Sequence, residues 1–547
     1  MLIIAASNFL GANLRRHKSR LPDGLGVNAL NMRLGMADLR GWNSAYTVVT
    51  TGGATPLISA YRMTAATVSD TADWIQWTVD VDVVRSLIAN DTTEEIYFTG
   101  DGVPKRTDNV LGLPAAPGPA ATRTLGIPKP VTAMTVALNT AGGGASETRV
   151  YVDTYVNNQD RESAPGTSKS FVCNGGSTVN ITALDVTAYS GYADVTLRRI
   201  YVSTDGNEFQ LLIQQAVATT TSTDNNVRGA VLQSGGDTTK PAWEQPPANM
   251  KGLIGLWNGM IGGFVGKSYC VCEPQKPWAW PVEYQSAVMH DIVATGRWLQ
   301  NWVLLTTSIP YIVNGSSPLA MNEQPIAFNQ SCVSKPSAVS LGHGVAWASP
   351  SGLCYIGEGS PPIILTEGIL TPEQWQALVP STIRGAHFER YYIGFYNDGA
   401  AKGFIIDPRD PQGMVFLDFG ARGAYYDPVS DRLYLQDTGN TIKRWNSPSG
   451  SALSVTFKSG VIRHPRPTRA GAAQVVADIP VSCQVTIWAN LLQTDRTFAW
   501  TQIFQRTVTT GETFTLPDYT AQEFQYQLVT TGPVQGFVMA EDPTEIP

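Results

Sequence analysis

The segment GGFVGKS at 262–268 ends in the Gly-Lys-Ser triplet that nucleotide-binding loops use to hold phosphate. Such a loop needs its first glycine five residues before Gly266, and the sequence has Ile261 there. It also needs a following helix whose N-terminus faces the anion, whereas YCVCEPQKPWAWP is rich in proline and β-forming residues. We therefore interpret the segment as two strands joined by a glycine-rich turn, with Lys267 at the start of the returning strand.

The histidine and serine patterns of common hydrolases are missing from the sequence. No His-Glu-x-x-His or His-x-x-x-His pair supplies zinc ligands, and no Gly-x-Ser-x-Gly nucleophile turn occurs. The histidines are scattered, at His17, His290, His343, His387 and His464. We interpret His343, in LGHGVAW, as part of a glycine-rich turn. Cys332 and Cys354 lie in apolar, strand-like surroundings, which favours structural thiols over reactive ones.

Four acidic residues that are near each other in sequence resemble the paired carboxylates that glycosidases use. They are Asp80, Asp82, Glu94 and Glu95. Nothing in their neighbourhood distinguishes them from solvated loop acids. The fragments NDG near Asp398 and DTGN near Asp437 lack the run of alternating oxygen ligands that calcium requires. The sequence therefore predicts no catalytic, cofactor-binding or metal-binding residue, and a protein that is not an enzyme.

The composition predicts a soluble all-β protein made in the cytoplasm. Its 547 residues include 51 glycines and 35 prolines among many strand-forming residues, without long amphipathic helical patterns. The net charge of −7 argues against tight binding of nucleic acid by a basic patch. It does not exclude the passage of a polyanion along the surface without binding. No apolar stretch reaches the roughly 18–20 residues of a membrane span, and MLIIAA is too short for a signal-peptide core. Six cysteines in so long a chain predict free, mostly buried thiols.

Composition shifts mark off three of the four predicted regions. Residues 1–125 form an N-terminal β region with strands such as AYTVVTT, and a Pro/Ala-rich linker lies at about 111–130. Residues 130–240 contain some seven short strands, the size of an immunoglobulin-like sandwich, and Asp205-Gly206 suits a two-residue type I′ turn. Residues 455–547 show plain alternation, as in PVSCQVTIWAN, and predict a C-terminal β-sandwich.

The fourth region, 245–452, repeats itself at a spacing of about 40 residues, the length of a four-stranded propeller blade. Glycine-flanked turns followed by paired strands begin near 253, 294, 340, 383 and 422. They predict a β-propeller of about five to six blades, which the N-terminal region could close with a strand from AYRMT or IYFTG. One helix is predicted in TPEQWQALVP, where Thr371 and Gln374 form a capping box and Trp375 anchors the helix.

Long phrases, spread over nearly the whole chain, carry a resemblance to a known family. They are DLRGWNSAYTVV, IYFTGDGVPKRTDN, YVDTYVNNQDRESAPG, SIPYIVNGSSPLAMNEQPIAFNQSCVSKPSAVSLGHGVAWASPSGLCYIG, ILTEGILTPEQWQAL and RYYIGFYN. Together they resemble the tail nozzle proteins (tail tubular protein B) of short-tailed bacteriophages. YVDTYVNNQDRESAPG is also similar to fibronectin type III modules, in which a Glu-Ser-Ala-Pro turn follows a strand.

The resemblance implies a structural function, which depends on the shape of an assembly and not on a catalytic site. Members of the family assemble as a ring, typically of six copies, below the portal and adaptor, and form the channel through which the genome leaves. For this chain the implied location is the virion tail. The implied partners are copies of itself in a homohexamer, the adaptor or head–tail connector, tail fibres or spikes, and double-stranded DNA that passes without specific binding. A set of rigid β-domains with low charge is compatible with the wall of a channel through which DNA passes.

Two other functions stay open from the sequence. A propeller-based tail protein that binds or degrades host-envelope polysaccharide would depend, as an enzyme, on a carboxylate pair. An independent receptor-binding module would adsorb to host cells as a purified monomer. A nozzle protein would instead form a ring of defined copy number and bind an adaptor–portal complex.

Overall fold

In the computed structural model the chain is all-β, as the composition predicts. The structure describes residues 2–36, 38–50, 56–63, 70–88, 91–115, 118–206, 208–225, 243–437, 439–493 and 497–546. Within these ranges the strands form several small sheets and one sheet of thirteen strands, and none of the sheets closes on itself. The helices in the same ranges are all too short to span a bilayer.

The strands are numbered in chain order. Before residue 226 they are β1 Leu2–Ala6, β2 Gly11–Ala12, β3 Leu25–Leu30, β4 Tyr46–Thr50, β5 Ser59–Arg62, β6 Trp74–Trp77, β7 Asp82–Arg85, β8 Ile96–Gly100, β9 Gly102–Thr107, β10 Arg123–Thr124, β11 Thr135–Thr140, β12 Ser146–Asn157, β13 Lys169–Asn174, β14 Thr178–Thr182, β15 Val195–Thr204, β16 Gln210–Ala216 and β17 Ser222–Asp224. After residue 242 they are β18 Lys251–Gly255, β19 Ile261–Val265, β20 Ser268–Val271, β21 Gln285–Ala287, β22 Ile292–Trp298, β23 Asn301–Thr306, β24 Tyr311–Asn314, β25 Asn322–Pro325, β26 Val339–Ser340, β27 Gly344–Ala348, β28 Leu353–Gly357, β29 Ser360–Ile364, β30 Arg384–Phe388, β31 Tyr391–Asn397, β32 Ala401–Ile406, β33 Met414–Leu417, β34 Gly423–Asp427, β35 Arg432–Gln436, β36 Thr441–Arg444, β37 Val455–Ser459, β38 Ile462–Val476, β39 Ser482–Leu492, β40 Phe498–Thr509, β41 Thr513–Thr530 and β42 Gly536–Ala540. The helices are α1 Pro372–Gln376 and 3₁₀ turns at Lys18–Arg20, Val282–Tyr284, Pro318–Ala320, Lys335–Ser337, Pro380–Thr382 and Pro543–Glu545.

Four-stranded antiparallel sheets recur along the chain. They are β7–β10, β18–β21, β22–β25, β26–β29 and β34–β36, the last with β4 as its fourth strand. Strands β30–β33 repeat the arrangement inside the large sheet. The predicted repeat starts lie within about two residues of the first residues of β18, β22, β26, β30 and β34. The repeat is therefore confirmed, and sheet β7–β10 adds a unit upstream of it. The propeller and its number of blades stay predictions.

The first strands of these sheets lie beside one another in chain order. Strand β18 contacts β7 and β22, β26 contacts β22 and β30, and β34 contacts β30 and β5. Strand β5 in turn contacts the residue before β7, because the Val81 amide donates a hydrogen bond to Ser59 Oγ at 2.9 Å. The series of neighbouring strands therefore ends beside the strand with which it began. The two-stranded sheet β5–β6 thus lies between β34 and β7.

An N-terminal strand completes the sheet β34–β36. Strand β4, in AYTVVTT, pairs antiparallel with β36, with Tyr46 opposite Arg444 and Thr50 opposite Thr441. The segments AYRMT and IYFTG, in which the sequence places a closing strand, instead belong to β5 and β8 of other sheets. Pairing with β4 satisfies backbone groups that β36 would otherwise present as a free edge.

Strands β11–β17 form two sheets inserted between β10 and β18. One has the order β11-β14-β17 and the other β13-β12-β15-β16, so the seven strands match the predicted number. Tyr151, Ile181 and Ile200 belong to the hydrophobic core that the two sheets share. Asp205 and Gly206 have φ values of 51° and 80°, the positive values that a type I′ turn requires.

The thirteen-stranded sheet joins both ends of the chain. Its order is β1-β42-β38-β41-β37-β3-β2-β33-β32-β31-β30, with β39 paired to β41 and β40 paired to β39. Strands of the predicted C-terminal sandwich, 455–547, hydrogen bond to β1 and β3, and β2 connects them to β33. The sheet therefore crosses the boundary predicted between 452 and 455, because the partners of the last strands lie in the first 30 residues.

The helix α1 begins as predicted and ends at Gln376, before Pro380, the residue at which the sequence pattern stops it. Thr371 caps it in a capping box with Gln374, and Pro372 is its first residue. Trp375 is 1% exposed, and its Nε1 donates to the Ser349 carbonyl at 2.9 Å. So short a helix has little stability of its own, so the buried indole holds it in place.

Trp375→Ala is expected to destabilise the protein by about 3–5 kcal/mol, because it leaves a cavity and removes the donor to the Ser349 carbonyl. Thr371→Ala removes only the cap and is expected to cost about 1 kcal/mol. Urea unfolding followed by circular dichroism measures both. Equal effects would contradict the larger contribution assigned to the indole.

Candidate functional site

Lys267 lies in the turn between β19 and β20, one residue before the returning strand begins. Gly266 has φ of 57°, which explains the need for glycine there. The Val288 amide donates to the Lys267 carbonyl at 3.0 Å, and the Ile292 amide donates to the Gly266 carbonyl at 2.9 Å. The turn is thus fixed by the residues that follow it, and Lys267 is followed by the strand β20 and not by a helix. The geometry is that of a hairpin, as predicted, and not of a phosphate loop.

His343 and the thiols also have structural surroundings. His343 follows Gly342, which has φ of 80°, and precedes β27, so it is a turn histidine as predicted. Burial and the nearby Arg409 guanidinium lower its pKa. All six cysteines are free and buried. Burial raises the pKa of Cys332 and Cys354 to about 12, which keeps both as unreactive thiols near neutral pH.

Asp80 and Asp82 both bind Lys335, whose Nζ lies 2.8 Å from a carboxylate oxygen of each. Asp82 also accepts a hydrogen bond from the Gly252 amide at 2.9 Å. Burial would lower the pKa of Lys335, but the two carboxylates outweigh it and raise that pKa. These acids, predicted to be solvated, therefore connect β7 with β18 and with the turn before β26.

Glu95 is a buried carboxylate with three charged or hydroxyl partners. Arg161 binds both of its oxygens, at 2.9 and 2.6 Å, and Arg106 lies 2.8 Å from Oε1. Tyr97 donates its hydroxyl to Oε2 at 2.7 Å. Burial opposes ionisation, but hydrogen bonding and charge from Arg161, with the charge of Arg106, hold the pKa of Glu95 below its usual value. The predicted loop acid is thus an ionised group at the centre of a cluster.

This cluster joins two parts of the chain. Glu95 and Arg106 belong to the sheet β7–β10 region, whereas Arg161 follows β12 of the inserted sheets. Arg106 also binds Asp194, and its Nη1 donates to Gln159 Oε1 at 3.0 Å, so it adds two contacts with the inserted sheets. No local sequence pattern indicates this pairing, because Glu95 and Arg161 are 66 positions apart.

Asp398 and Asp437 are bound by donors of the protein itself. Asp398 pairs with Lys402 at 2.9 Å. Asp437 pairs with Lys443 at 2.6 Å, and its Oδ1 accepts the amides of Gly439 and Thr441 at 2.8 and 3.1 Å. Across the described residues, no group of three or more His, Cys, Asp or Glu side chains is arranged to hold a metal ion.

A cavity of about 460 Å³ lies where β5, β7, β30 and β34 converge. Its polar lining includes Tyr61, Arg62, Asp80, Arg85, Arg384 and Asp427. Arg62 and Asp427 form a buried ion pair at 3.5 Å, and Arg85 binds Glu94 at 3.0 Å. Burial raises the pKa of Tyr61 to about 12, so its hydroxyl stays protonated. The cavity can hold a small polar ligand, and three different strands contribute an arginine to its lining.

Comparisons with known proteins give no family assignment. No protein-family model matches the sequence, and no curated protein matches it. The chain is similar to the apo structure of AztD from Citrobacter koseri at 12% identity and a TM-score of 0.25, covering 71% of this chain and 99% of that one. It is similar to the AfRom2 CNH domain at 10% identity and a TM-score of 0.24, covering 50% and 85%. A chain of a mitotic checkpoint complex crystal structure gives 8% identity and a TM-score of 0.27, covering 66% and 93%. TM-scores this low support no inference about fold or function.

Glu95→Gln is expected to cost about 3–5 kcal/mol near neutral pH, because Arg161 remains buried without its carboxylate and Arg106 keeps only Asp194. The folded-state pKa of Glu95 lies below its unfolded value of about 4.3, so its stabilisation is complete above that value and is lost as the pH falls through the folded pKa. The variant should therefore lose less stability than the wild type on acidification.

Urea midpoints at neutral and acidic pH measure this difference. Glu283→Gln, at an exposed carboxylate, is the matched control and should follow the wild type. Parallel pH profiles of the wild type and Glu95→Gln would show that the cluster does not depend on an ionised Glu95.

Proposed function

We propose that this chain is a structural protein of a phage tail, one subunit of a ring-shaped nozzle below the portal and adaptor. The ring would be a conduit for genome ejection, and its outer surface would attach other tail proteins. The family resemblance of the sequence phrases supports this role. So does a structure in which each acidic residue considered for catalysis is bound to a cation of the protein.

The proposed architecture includes a β-propeller. Its blades would be the four-stranded sheets from β7–β10 to β34–β36 with β4, and β30–β33. The pair β5–β6 would fill the remaining position, which makes seven units instead of the five to six expected from sequence. The contacts between successive first strands support this arrangement. Four of these strands, β5, β7, β30 and β34, line the cavity near Tyr61 and Asp427. A propeller leaves only short, protected edges and offers broad faces to partners.

The observation that best supports self-association is the exposed edge of β40. Among the described strands, β40 pairs only with β39, so its other edge carries unpaired backbone groups. Phe498 and Leu492 lie opposite each other across this hairpin and are 67% and 62% exposed. An edge strand with exposed large apolar side chains is a site for contact with another chain. In a ring, that contact joins this edge to a different surface of the next subunit.

Phe498→Asp is expected to convert a ring into monomers, because it places a charge in the proposed contact between subunits. Val110→Asp is the matched control, since Val110 is 79% exposed and lies far along the chain from β40. Mass photometry of the purified proteins, with electron microscopy of the ring, measures the copy number. Rings of the Phe498→Asp variant would contradict the role of this edge.

The nozzle itself is tested in the virion. Cryo-electron microscopy should place the chain as a ring on the tail axis, between the adaptor and the distal end. Density for the chain away from that axis would overturn the proposal. A wild-type chain that forms no ring in solution or on the adaptor–portal complex would do the same.

The cavity favours one second function, a tail protein that binds or degrades host-envelope polysaccharide. It contains two carboxylates, Asp80 and Asp427, together with the tyrosine ring of Tyr61. If the chain is a depolymerase, it should clear host polysaccharide, and the double substitution Asp80→Asn and Asp427→Asn should abolish clearing while the protein remains folded. For a nozzle we expect no clearing by the wild type, measured as loss of capsule or release of reducing sugar.

A further inference from the structure

We infer that a strip of cations near the N-terminus binds the phosphate backbone of duplex DNA. The basic strip consists of Arg15, Arg16, Lys18 and Arg20, with Lys458 beside them. The choice of DNA as the polyanion rests on the proposed conduit function. The inference goes beyond that function, because it assigns a contact with DNA to particular residues. The net charge of −7 by itself predicts no binding of nucleic acid by a basic patch.

The charge of the strip is concentrated and unpaired. Four of the six residues from Arg15 to Arg20 are Arg or Lys, and none is acidic. Arg15, Arg16 and Arg20 are exposed, and Lys18 is half-buried. Within the described part of the chain, none of these four cations forms an ion pair with a carboxylate, although most other arginines of the chain's sheets do. The strip therefore retains its positive charge for an external anion.

The backbone of the strip is held at both ends. The amides of Leu14 and Arg15 donate to the Ile369 carbonyl at 2.9 and 2.8 Å. At the other end, the Val461 amide donates to the Lys18 carbonyl at 2.7 Å. Between them lies an open concave surface of about 470 Å³, lined by Arg15, Arg16, His17 and Lys18 with Gln374. A fixed backbone lets several cations face one phosphate backbone without a large loss of chain entropy.

Tryptophans hold two of the cations without neutralising them. Lys18 Nζ lies 4.5 Å from the centre of the Trp500 ring, and Lys458 Nζ lies 3.9 Å from that of Trp488. Burial and the charge of Lys18 together lower the pKa of Lys458. A bound phosphate would relieve the repulsion between the two ammonium groups, so the site favours an anion.

The same tryptophans favour a duplex over a single strand. Single-strand binding proteins stack bases on aromatic faces, but here lysines cover one face each of Trp488 and Trp500. A row of cations whose neighbouring indoles already contact lysines suits a backbone whose bases are paired inside a helix. Because the footprint is small and the rest of the chain is acidic, binding should be weak and salt-dependent, which permits passage.

The test is fluorescence anisotropy of a labelled duplex at low salt, with the full-length wild type and two substituted proteins of equal net charge. The first carries Arg15→Gln, Arg16→Gln, Lys18→Gln and Arg20→Gln. The control carries Lys169→Gln, Lys251→Gln, Lys267→Gln and Arg466→Gln, four exposed cations outside the strip that form no ion pair in the described residues. Circular dichroism and thermal unfolding establish that both are folded.

The wild type is expected to bind, with log K falling against log salt at a slope of about −3 to −4. The strip variant should lose at least about tenfold in affinity, and the control variant should stay within about twofold of the wild type. The double substitution Arg16→Gln and Arg20→Gln, at side chains that form no hydrogen bond with the other described residues, should give an intermediate loss and keep the fold.

Several outcomes would overturn the inference. They are no binding by the wild type, equal losses in the strip and control variants, stronger binding of a single strand, and competition by polyglutamate as effective as that by duplex DNA. The last outcome would indicate an acidic protein partner. Ring formation without DNA binding would refute this inference and leave the nozzle proposal unaffected. DNA binding by a chain that never forms a ring would refute the nozzle proposal and support the DNA contact.

Discussion

Hydrogen bonding between the two ends of the chain is the constraint on which the rest of the structure depends. Strand β1 pairs with β42, β3 with β37, and β4 with β36, so the first 50 residues complete sheets built from the last 130 or so. Trp42 lies where these segments meet: it is fully buried, its Nε1 donates to the Met32 carbonyl at 3.1 Å, and its ring contacts Tyr391 and Trp445. Such non-local pairing fixes the central sheets only when the whole chain is present.

Buried ion pairs connect the parts that the sheets do not. Glu95 with its arginines joins the inserted sheets to β8 and β9. Inside the insert, Arg149 binds Asp224 at 3.1 Å, and Arg198 lies 3.3 Å from Asp153. Burial raises the pKa of Asp153 to about 6, although Arg198 opposes the shift. Removing charges from water costs free energy, so such pairs contribute more to a defined position of the insert than to its stability.

The net charge of the chain predicts repulsion of nucleic acid, whereas the local charge from Arg15 to Arg20 favours its binding. A protein with 45 acidic and 38 basic residues repels a polyanion on average, yet the segment from Arg15 to Arg20 collects four cations that no carboxylate neutralises within the described chain. The thirteen-stranded sheet brings Lys458 and two tryptophans to the same place. In the proposed nozzle, a surface that repels DNA weakly overall and has one weak basic contact would let DNA pass without binding it tightly.

The sequence by itself determined the all-β class, the repeat spacing, the helix cap at Thr371 and the turn nature of GGFVGKS, because strand periodicity, capping and glycine turns depend on residues close together in the chain. Only the tertiary structure decided that β4 and not AYRMT completes the sheet β34–β36, that the C-terminal strands share a sheet with β1 and β3, and that Glu95 is buried between arginines. Each of these features depends on partners tens or hundreds of residues away. The local sequence pattern does not indicate which distant strands pair or which distant charges form ion pairs.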